Sequence, residues 1–351
     1  MARSRLGALF TTLLPNPLME RLVCAVWYEG HFLGWVLRPV AALFCLVVRL
    51  RRLGYLRGWF ASQRLSVPVI VVGNLTVGGT GKTPTVLWLA QFLVAHGWRP
   101  GIISRGYGGR IGDKPQVVGP TANPLDVGDE PLLLARRSGV PVAVCRWRAR
   151  AGELLATHYD CDCLIADDGL QHYALARDIE IALVDRARGM GNGLCLPAGP
   201  LREPLGRLRE VSLRVAFGAP LPGEHPLGLV PGDVLSLDGD APSRPLASFC
   251  ATTVHGVAGI GHPQRFFSLL EAAGLTVIAH PFPDHHPFRP EDLAFGDDLS
   301  ILMTEKDAVK CITFARNGQW YVPIDAHFTP EFAASLLGLL PSKPDRANGL
   351  H

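Results

Sequence analysis

The chain has 351 residues, of which 48% are hydrophobic, with 34 basic against 31 acidic side chains and a formal charge of +3. The length allows two domains, and the near-balanced charge implies no nucleic-acid partner. A mean hydropathy of +0.20 is high for a purely soluble enzyme. The 29 prolines and 38 glycines are spread along the chain, with no internal repeat or low-complexity tract. Eight scattered cysteines, mostly inside apolar runs, suit a reducing compartment with free thiols. Cys161 and Cys163 fall in an alternating strand pattern with no second pair nearby, which reads against a metal site.

Residues 1–65 form a distinct N-terminal segment in which Trp27, Tyr28, Trp35, Phe44, Tyr55, Trp59 and Phe60 lie among Leu, Val and Arg. No small-residue cleavage site follows, so a removed signal peptide is not expected. From Pro39 to Arg52 the spacing predicts a helix of 14 residues. At about 1.5 Å per residue it reaches roughly 21 Å, short of a hydrocarbon core of about 30 Å. Arg38, Ala42, Cys45, Arg49 and Arg52 fall on one stripe, with Leu43, Phe44, Leu46, Val47 and Val48 around it. That pattern predicts a helix lying at a membrane surface; the alternative is a helix packed on the main domain.

Residues 66–218 alternate short apolar runs with amphipathic stretches. Strands are expected at 67–72, 101–104, 140–145, 163–166 and 179–184, with a helix from Thr83 to His96. Alternation of this kind predicts an α/β fold with a mostly parallel sheet covered on both faces, whose ligands bind at the carboxyl ends of the strands. The polar motifs fall at those ends. After the first strand comes Thr76-Val77-Gly78-Gly79-Thr80-Gly81-Lys82-Thr83, a P-loop spelling with Thr76 where the usual pattern has glycine. Its glycines let backbone N–H groups face a phosphate at a helix N-terminus. Lys82 would reach the terminal phosphates of ATP, and Thr83 would hold Mg²⁺.

Leu164-Ile165-Ala166-Asp167-Asp168 is an apolar strand ending in two acids, the pattern of a metal-holding carboxylate in P-loop enzymes. Gly128-Asp129-Glu130-Pro131 opens a helical run to Arg137. From spacing alone Asp129 is either a helix cap or the carboxylate that accepts a proton from the phosphate acceptor. Arg105 and Tyr107, in Ser104–Arg110, and Arg202, in Leu196–Pro204, lie on Gly/Pro-rich loops where arginine can grip phosphate.

Residues 219–245 read as a linker rich in Pro, Gly and Asp, 246–341 as a smaller α/β domain, and 342–351 as a loose tail. In the smaller domain, strands or helices are expected at 252–258, 263–273, 275–280, 299–303, 320–324 and 332–340. His280, His285 and His286 have no cysteine nearby, and a metal cluster is not the favoured reading of them.

Taken together, these strings resemble the tetraacyldisaccharide 4′-kinase family. The resemblance rests on Thr76–Pro84, Ser104–Gly108, Gly128–Pro131, Asp167-Asp168-Gly169-Leu170-Gln171-His172 and Leu196–Pro204. It continues through Gly259-Ile260-Gly261, Asp284-His285-His286 and Thr304–Ala308. One departure is Trp147-Arg148, where the family's pattern has an Asp-Arg pair. The resemblance implies transfer of the γ-phosphate of ATP, with Mg²⁺, to the 4′-hydroxyl of a tetraacyl glucosamine disaccharide 1-phosphate, forming lipid IVA. It also implies a place on the cytoplasmic face of the inner membrane, with an N-terminal membrane anchor. By the same resemblance Asp129 is the base, assisted by His285, beside the catalytic Lys82. Asp167 and Asp168 join Thr83 at the metal, and Arg105, Tyr107, Glu130, Gln171, His172 and Arg202 take the substrate. A rival reading from another class is a membrane-associated switch or partitioning ATPase. Such proteins carry a lysine where this chain has Val77.

Overall fold

The computed structural model describes residues 17–343. Residues 1–16 of the expected N-terminal segment 1–65, and 344–351 of the expected tail 342–351, lie outside the described residues. Three helices open the chain, α1 (Pro17–Tyr28), α2 (Leu33–Val36) and α3 (Arg38–Leu56). The first α/β series follows as β1 (Val69–Asn74), α4 (Lys82–Ala95), β2 (Pro100–Ser104), β3 (Gln116–Val117), α5 (Pro124–Val127), α6 (Asp129–Arg137), β4 (Val142–Val144), α7 (Arg148–His158), β5 (Cys163–Asp167), β6 (Ile179–Asp185), β7 (Leu213–Phe217) and β8 (His225–Pro231). The second series is β9 (Leu235–Ser236), β10 (Thr253–Ala258), α8 (Pro263–Ala272), β11 (Thr276–Pro281), β12 (Ile301–Thr304), α9 (Glu305–Cys311) and β13 (Gln319–Val322). β14 (Ile324–Phe328) and α10 (Pro330–Leu339) close the described chain.

The larger sheet has nine strands in the order β14-β8-β7-β6-β1-β5-β2-β4-β3. Its two edges, β14 and β3, are antiparallel to their neighbours, and the strands between run parallel. β1 is buried at every position, as a central parallel strand covered on both faces must be. Its side chains divide with the two-residue period of a strand. Ile70 and Val72 enter one core with Leu89 and Leu93 of α4, while Val69 and Val71 enter the other with Ala151 and Leu155 of α7. The smaller sheet runs β11-β10-β12-β13-β9, parallel except at β9.

Two segments depart from the sequence reading. The stretch expected as a linker supplies β8 to the larger sheet, parallel to β7. The last strand and helix, expected in the smaller domain, also return to the larger one: β14 pairs with β8, and Phe332 and Leu336 of α10 are buried in its core. The expected strand at 320–324 breaks at Pro323 into β13 and β14, which belong to different sheets. The smaller sheet is thus inserted between β8 and β14.

α3 also differs in detail from its expected face. Ala41 is buried, and Phe44 and Cys45 pack against the core of the larger unit. Arg51 donates to the Gln171 carbonyl and Arg52 pairs with Glu210, so both turn inward. What faces outward is Val40, Leu43, Leu46, Val47 and Leu50, all exposed. Among the described residues no helix is long and apolar enough to cross a membrane.

Candidate active site

The carboxyl ends of the two sheets face each other, and the site lies between them. From the larger sheet come the loop after β1, the start of α6 and the end of β5. From the smaller come the loops after β10 and β11 and the start of α9. Gly261, after β10, lies so near the phosphate loop that a Cβ there would stand 3.9 Å from the Gly79 nitrogen.

The phosphate loop is built on positive φ. Gly78 has φ of 111° and Gly81, capping α4, has φ of 81°, a region that side chains disfavour. Thr76 and Thr80 are buried, and Thr80 Oγ1 has no hydrogen-bond partner. Thr83 is the second residue of α4. Lys82 Nζ lies 3.2 Å from Asp168 Oδ1 and 3.3 Å from Asn74 Oδ1.

At the end of β5, Arg202 grips both oxygens of Asp168, at 3.0 and 3.1 Å. Burial would raise the Asp168 carboxyl, but Arg202 and Lys82 outweigh it and hold it well below the usual range. Its neighbour Asp167 has the opposite balance. Burial, reinforced by Glu130 and Asp168, pushes Asp167 up to about 7, and its Oδ1 is buried without a partner. A buried carboxylate oxygen with nothing to accept from is costly unless a cation meets it. The donor set of Thr83, Asp167 and Asp168 therefore fits Mg²⁺, a hard cation that takes a few protein oxygens together with phosphate and water. No group of three or more His, Cys, Asp and Glu among the described residues could hold a metal alone.

Across the cleft, Asp129 is 5% exposed and accepts from His285 Nδ1 at 2.8 Å. Burial would raise its carboxyl, but the Lys306 ammonium and the His285 hydrogen bond bring it to about 2. Burial likewise disfavours charge on His285, and the Asp129 hydrogen bond reverses that and raises its pKa. The ring nitrogen facing the carboxylate carries the hydrogen, because only N–H can donate to it. His285 itself has φ of 61°, a strained backbone held at the cleft. The Tyr107 ring stands 5.2 Å from the His285 ring. Lys306 Nζ pairs with Glu130 at 3.0 Å and Asp284 at 3.2 Å, and lies 3.4 Å from His285 Nε2.

The other expected substrate residues gather beside β5. Gln171 donates to the Asn74 carbonyl and to Glu203. Burial, with Arg148, Arg177, Arg105 and Arg51 around it, lowers His172 to about 3, leaving a neutral imidazole in a basic surround. Arg105 is exposed at the end of β2. Arg202, expected to grip phosphate, is engaged by Asp168 and the Asn74 carbonyl.

Three residues escaped the sequence reading. Asn74 supports Lys82 and donates to the Gly78 carbonyl. Lys306 ties Asp129, Glu130, Asp284 and His285 together. Arg148, noticed only beside the aberrant Trp147, is buried and donates to the carbonyls of both Asp167 and Asp168. An arginine at the first position of a helix, in a chain whose next strand ends in two acids, was the available signal.

Likeness to known proteins identifies the family and the fold. The family described as tetraacyldisaccharide-1-P 4′-kinase, LpxK, matches residues 33–341. The chain belongs to this family. A relative from Nitrosococcus oceani, named tetraacyldisaccharide 4′-kinase, is 54% identical over 91% of this chain and 94% of its own. One of the same name from Pseudomonas aeruginosa is 48% identical over 90% and 95%. Among solved structures, LpxK from Aquifex aeolicus in complex with ATP superposes with a TM-score of 0.74 at 27% identity, covering 88% of this chain and all of that one. The family and the α/β architecture inferred from the motifs are thereby established. The altered Trp147 leaves Arg148, the second member of its pair, in place on the β5 carbonyls.

Proposed function

We propose that this chain phosphorylates the 4′-hydroxyl of a tetraacyl glucosamine disaccharide 1-phosphate with ATP, in lipid A biosynthesis, and that Asp129 is the proton acceptor. The observation that carries the reading is the Asp129–His285 pair facing the phosphate loop across the cleft. The acceptor oxygen forms a bond to the γ-phosphorus as the bond to the ADP oxygen breaks. The proton of the hydroxyl passes to an Asp129 oxygen, and His285 Nδ1–H keeps that carboxylate oriented. A carboxylate held at about 2 is a weak base. A loose phosphoryl-transfer transition state asks little of the base before the new bond forms, so position matters more than basicity. Lys82 leaves Asp168 to meet the terminal phosphates, and Arg202 keeps Asp168 in place. Mg²⁺, held by Thr83, Asp167 and Asp168, would neutralise phosphate charge. Arg105, Tyr107, Glu130, Gln171 and His172 line the acceptor side.

The acceptor carries acyl chains, so the enzyme meets it at a membrane. The outward face of α3, with Phe32, Trp35 and Trp59 also exposed and Arg38, Arg49 and Arg57 among them, suits a surface anchored in the acyl boundary with cations at anionic headgroups. Use of ATP supports a place on the cytoplasmic face of the inner membrane.

The test is transfer of labelled γ-phosphate from ATP to the tetraacyldisaccharide 1-phosphate in detergent micelles, with Lys82→Ala alongside. Labelled lipid from the wild type alone supports the kinase. ATP hydrolysis that ignores the lipid would favour a switch ATPase and reduce Asp129 to a helix cap.

A further inference from the structure

The turn after β6 holds an arginine that the reaction above does not use. Asp185 Oδ1 accepts from the Arg188 N–H at 3.1 Å, and Gly189 N–H closes on the Asp185 carbonyl at 2.8 Å. This turn aims the Arg188 side chain at the phosphate loop, where Nη1 donates to the Val77 carbonyl at 3.2 Å. The approach depends on Gly78, because a Cβ there would stand 2.6 Å from that Nη1. The Val77 carbonyl and the Gly78 amide belong to one planar peptide, so a donor on the carbonyl also fixes the direction of the N–H.

The flanking peptides are held as well. Val77 N–H donates to the Pro200 carbonyl at 2.9 Å, and Asn74 Nδ2 donates to the Gly78 carbonyl at 3.3 Å. The group that pins the middle peptide differs in what else it touches. The Arg188 guanidinium lies 4.7 Å over the ring of Tyr28, the last residue of α1. α1 is seated nearby: Trp27 Nε1 donates to the Pro197 carbonyl at 2.9 Å, and Val77 packs on the cluster of Val26, Trp27 and Leu196. On the far side, Arg265 of the smaller unit pairs with Asp185 Oδ2 at 2.6 Å.

We propose that Arg188 is a positioning residue for ATP: it fixes the Val77–Gly78 peptide of the phosphate loop and, through its stack on Tyr28, makes that geometry depend on the seating of α1. The inference deepens the kinase reading and rests on it for the ligand. Its energetic basis is preorganisation. A loop already held with its N–H groups inward loses less freedom when phosphate arrives. An Arg–aromatic stack is a specific contact that lysine reproduces poorly.

The experiment is a calorimetric titration of the full chain in detergent with a non-hydrolysable ATP analogue and Mg²⁺, followed by steady-state kinetics. Arg188→Ala should weaken analogue binding about tenfold and raise KM for ATP similarly, with KM for the lipid unchanged; Arg188→Lys should recover only part of the loss. Tyr28→Phe, which keeps the ring face, should bind as wild type, whereas Tyr28→Leu should bind about threefold more weakly. In the Arg188→Ala background Tyr28→Leu should add nothing, because the two act through one contact. Wild-type affinity in Arg188→Ala, or fully additive losses in the double variant, overturns the inference. Should Arg188→Ala fail to fold, as judged by its thermal transition, the Tyr28→Phe and Tyr28→Leu pair decides alone, and equal affinities overturn it. A wild type that binds no analogue defeats the ATP reading itself, a result distinct from all of these.

Discussion

His285 Nδ1 lies 2.8 Å from Asp129 Oδ2 although 156 positions separate them, one on a loop of the smaller sheet and the other at the head of a helix of the larger. In the proposed mechanism the two act as one unit, so their losses should not add. Asp129→Asn keeps the shape and removes the proton acceptor. It should lower kcat by about two to four orders of magnitude, the usual range for a positioned general base, with ATP affinity close to wild type. His285→Ala should cost less, and the double variant should be no slower than Asp129→Asn. Steady-state kinetics on the three proteins checks this, and most of the activity surviving in Asp129→Asn would leave the residue as a helix cap.

The same pair sets a pH dependence of stability. His285 has a raised pKa because Asp129 accepts from it, against an ordinary value of 6.5. A group whose folded pKa is raised adds stability that is complete below the unfolded value and fades as pH climbs through the folded one. Asp129, held at about 2, stays ionised throughout that window. The stability difference between wild type and His285→Ala should therefore be largest near pH 6 and shrink on the alkaline side. Urea unfolding at a series of pH values measures it; a difference that grew with pH would reverse the sign assigned here.

How far the sequence could be read follows from which contacts are local. The phosphate loop was legible because strand, glycines and Lys82 are contiguous, and Asp167-Asp168 because an apolar strand ends in acid. Asp129 was open from spacing alone, since the partner that supports its proposed role is a histidine from the other sheet. Lys306 lay inside the quoted Thr304–Ala308 string, but its role stayed hidden because its partners Glu130 and Asp284 are far along the chain, and Asn74 stayed hidden because an asparagine ending a strand carries no signal of its own. The domain boundary misled because β8 and β14 leave and rejoin the larger sheet on either side of the insertion, and a Pro/Gly-rich composition did not exclude a strand: β8 carries Pro226 and Pro231 near its ends and still pairs with β7 and β14. On α3, the arginines were readable but their direction was not. Arg51 and Arg52 reach inward to Gln171 and Glu210, which no helical wheel predicts.

Arg148 tests the brace under the acidic pair. Its guanidinium donates at 2.7 and 3.0 Å to the carbonyls of Asp167 and Asp168 and is 5% exposed. Arg148→Ala leaves one buried and one half-buried acceptor without their donor, at a cost of about 3 kcal/mol. Arg148→Lys, with a single ammonium in place of the fork, should recover a minority of that. Activity should fall in both beyond what the unfolded fraction explains, because the carboxylates lose their alignment. Equal stability of wild type and Arg148→Ala in urea would mean that water replaces the guanidinium without loss.

The outward face of α3 makes the proposed membrane contact separable from the chemistry. Leu43 and Leu50 are 62% and 52% exposed and sit two turns apart on one side of the helix. A Leu or Val side chain buried in an apolar phase contributes about 1.5–3 kcal/mol. Replacing both leucines with Asp removes that gain and adds charges that anionic headgroups repel. Leu43→Asp/Leu50→Asp should therefore lower partitioning onto anionic vesicles by at least tenfold. Neither residue packs in the core, so folding and binding of the ATP analogue should persist. Deleting residues 1–52 should also release the protein, but it strips the Trp27 and Arg51 contacts and mixes anchoring with folding. Co-sedimentation of the double variant with vesicles is the cleaner measurement. Unchanged sedimentation alongside intact folding would place the membrane contact elsewhere on the molecule.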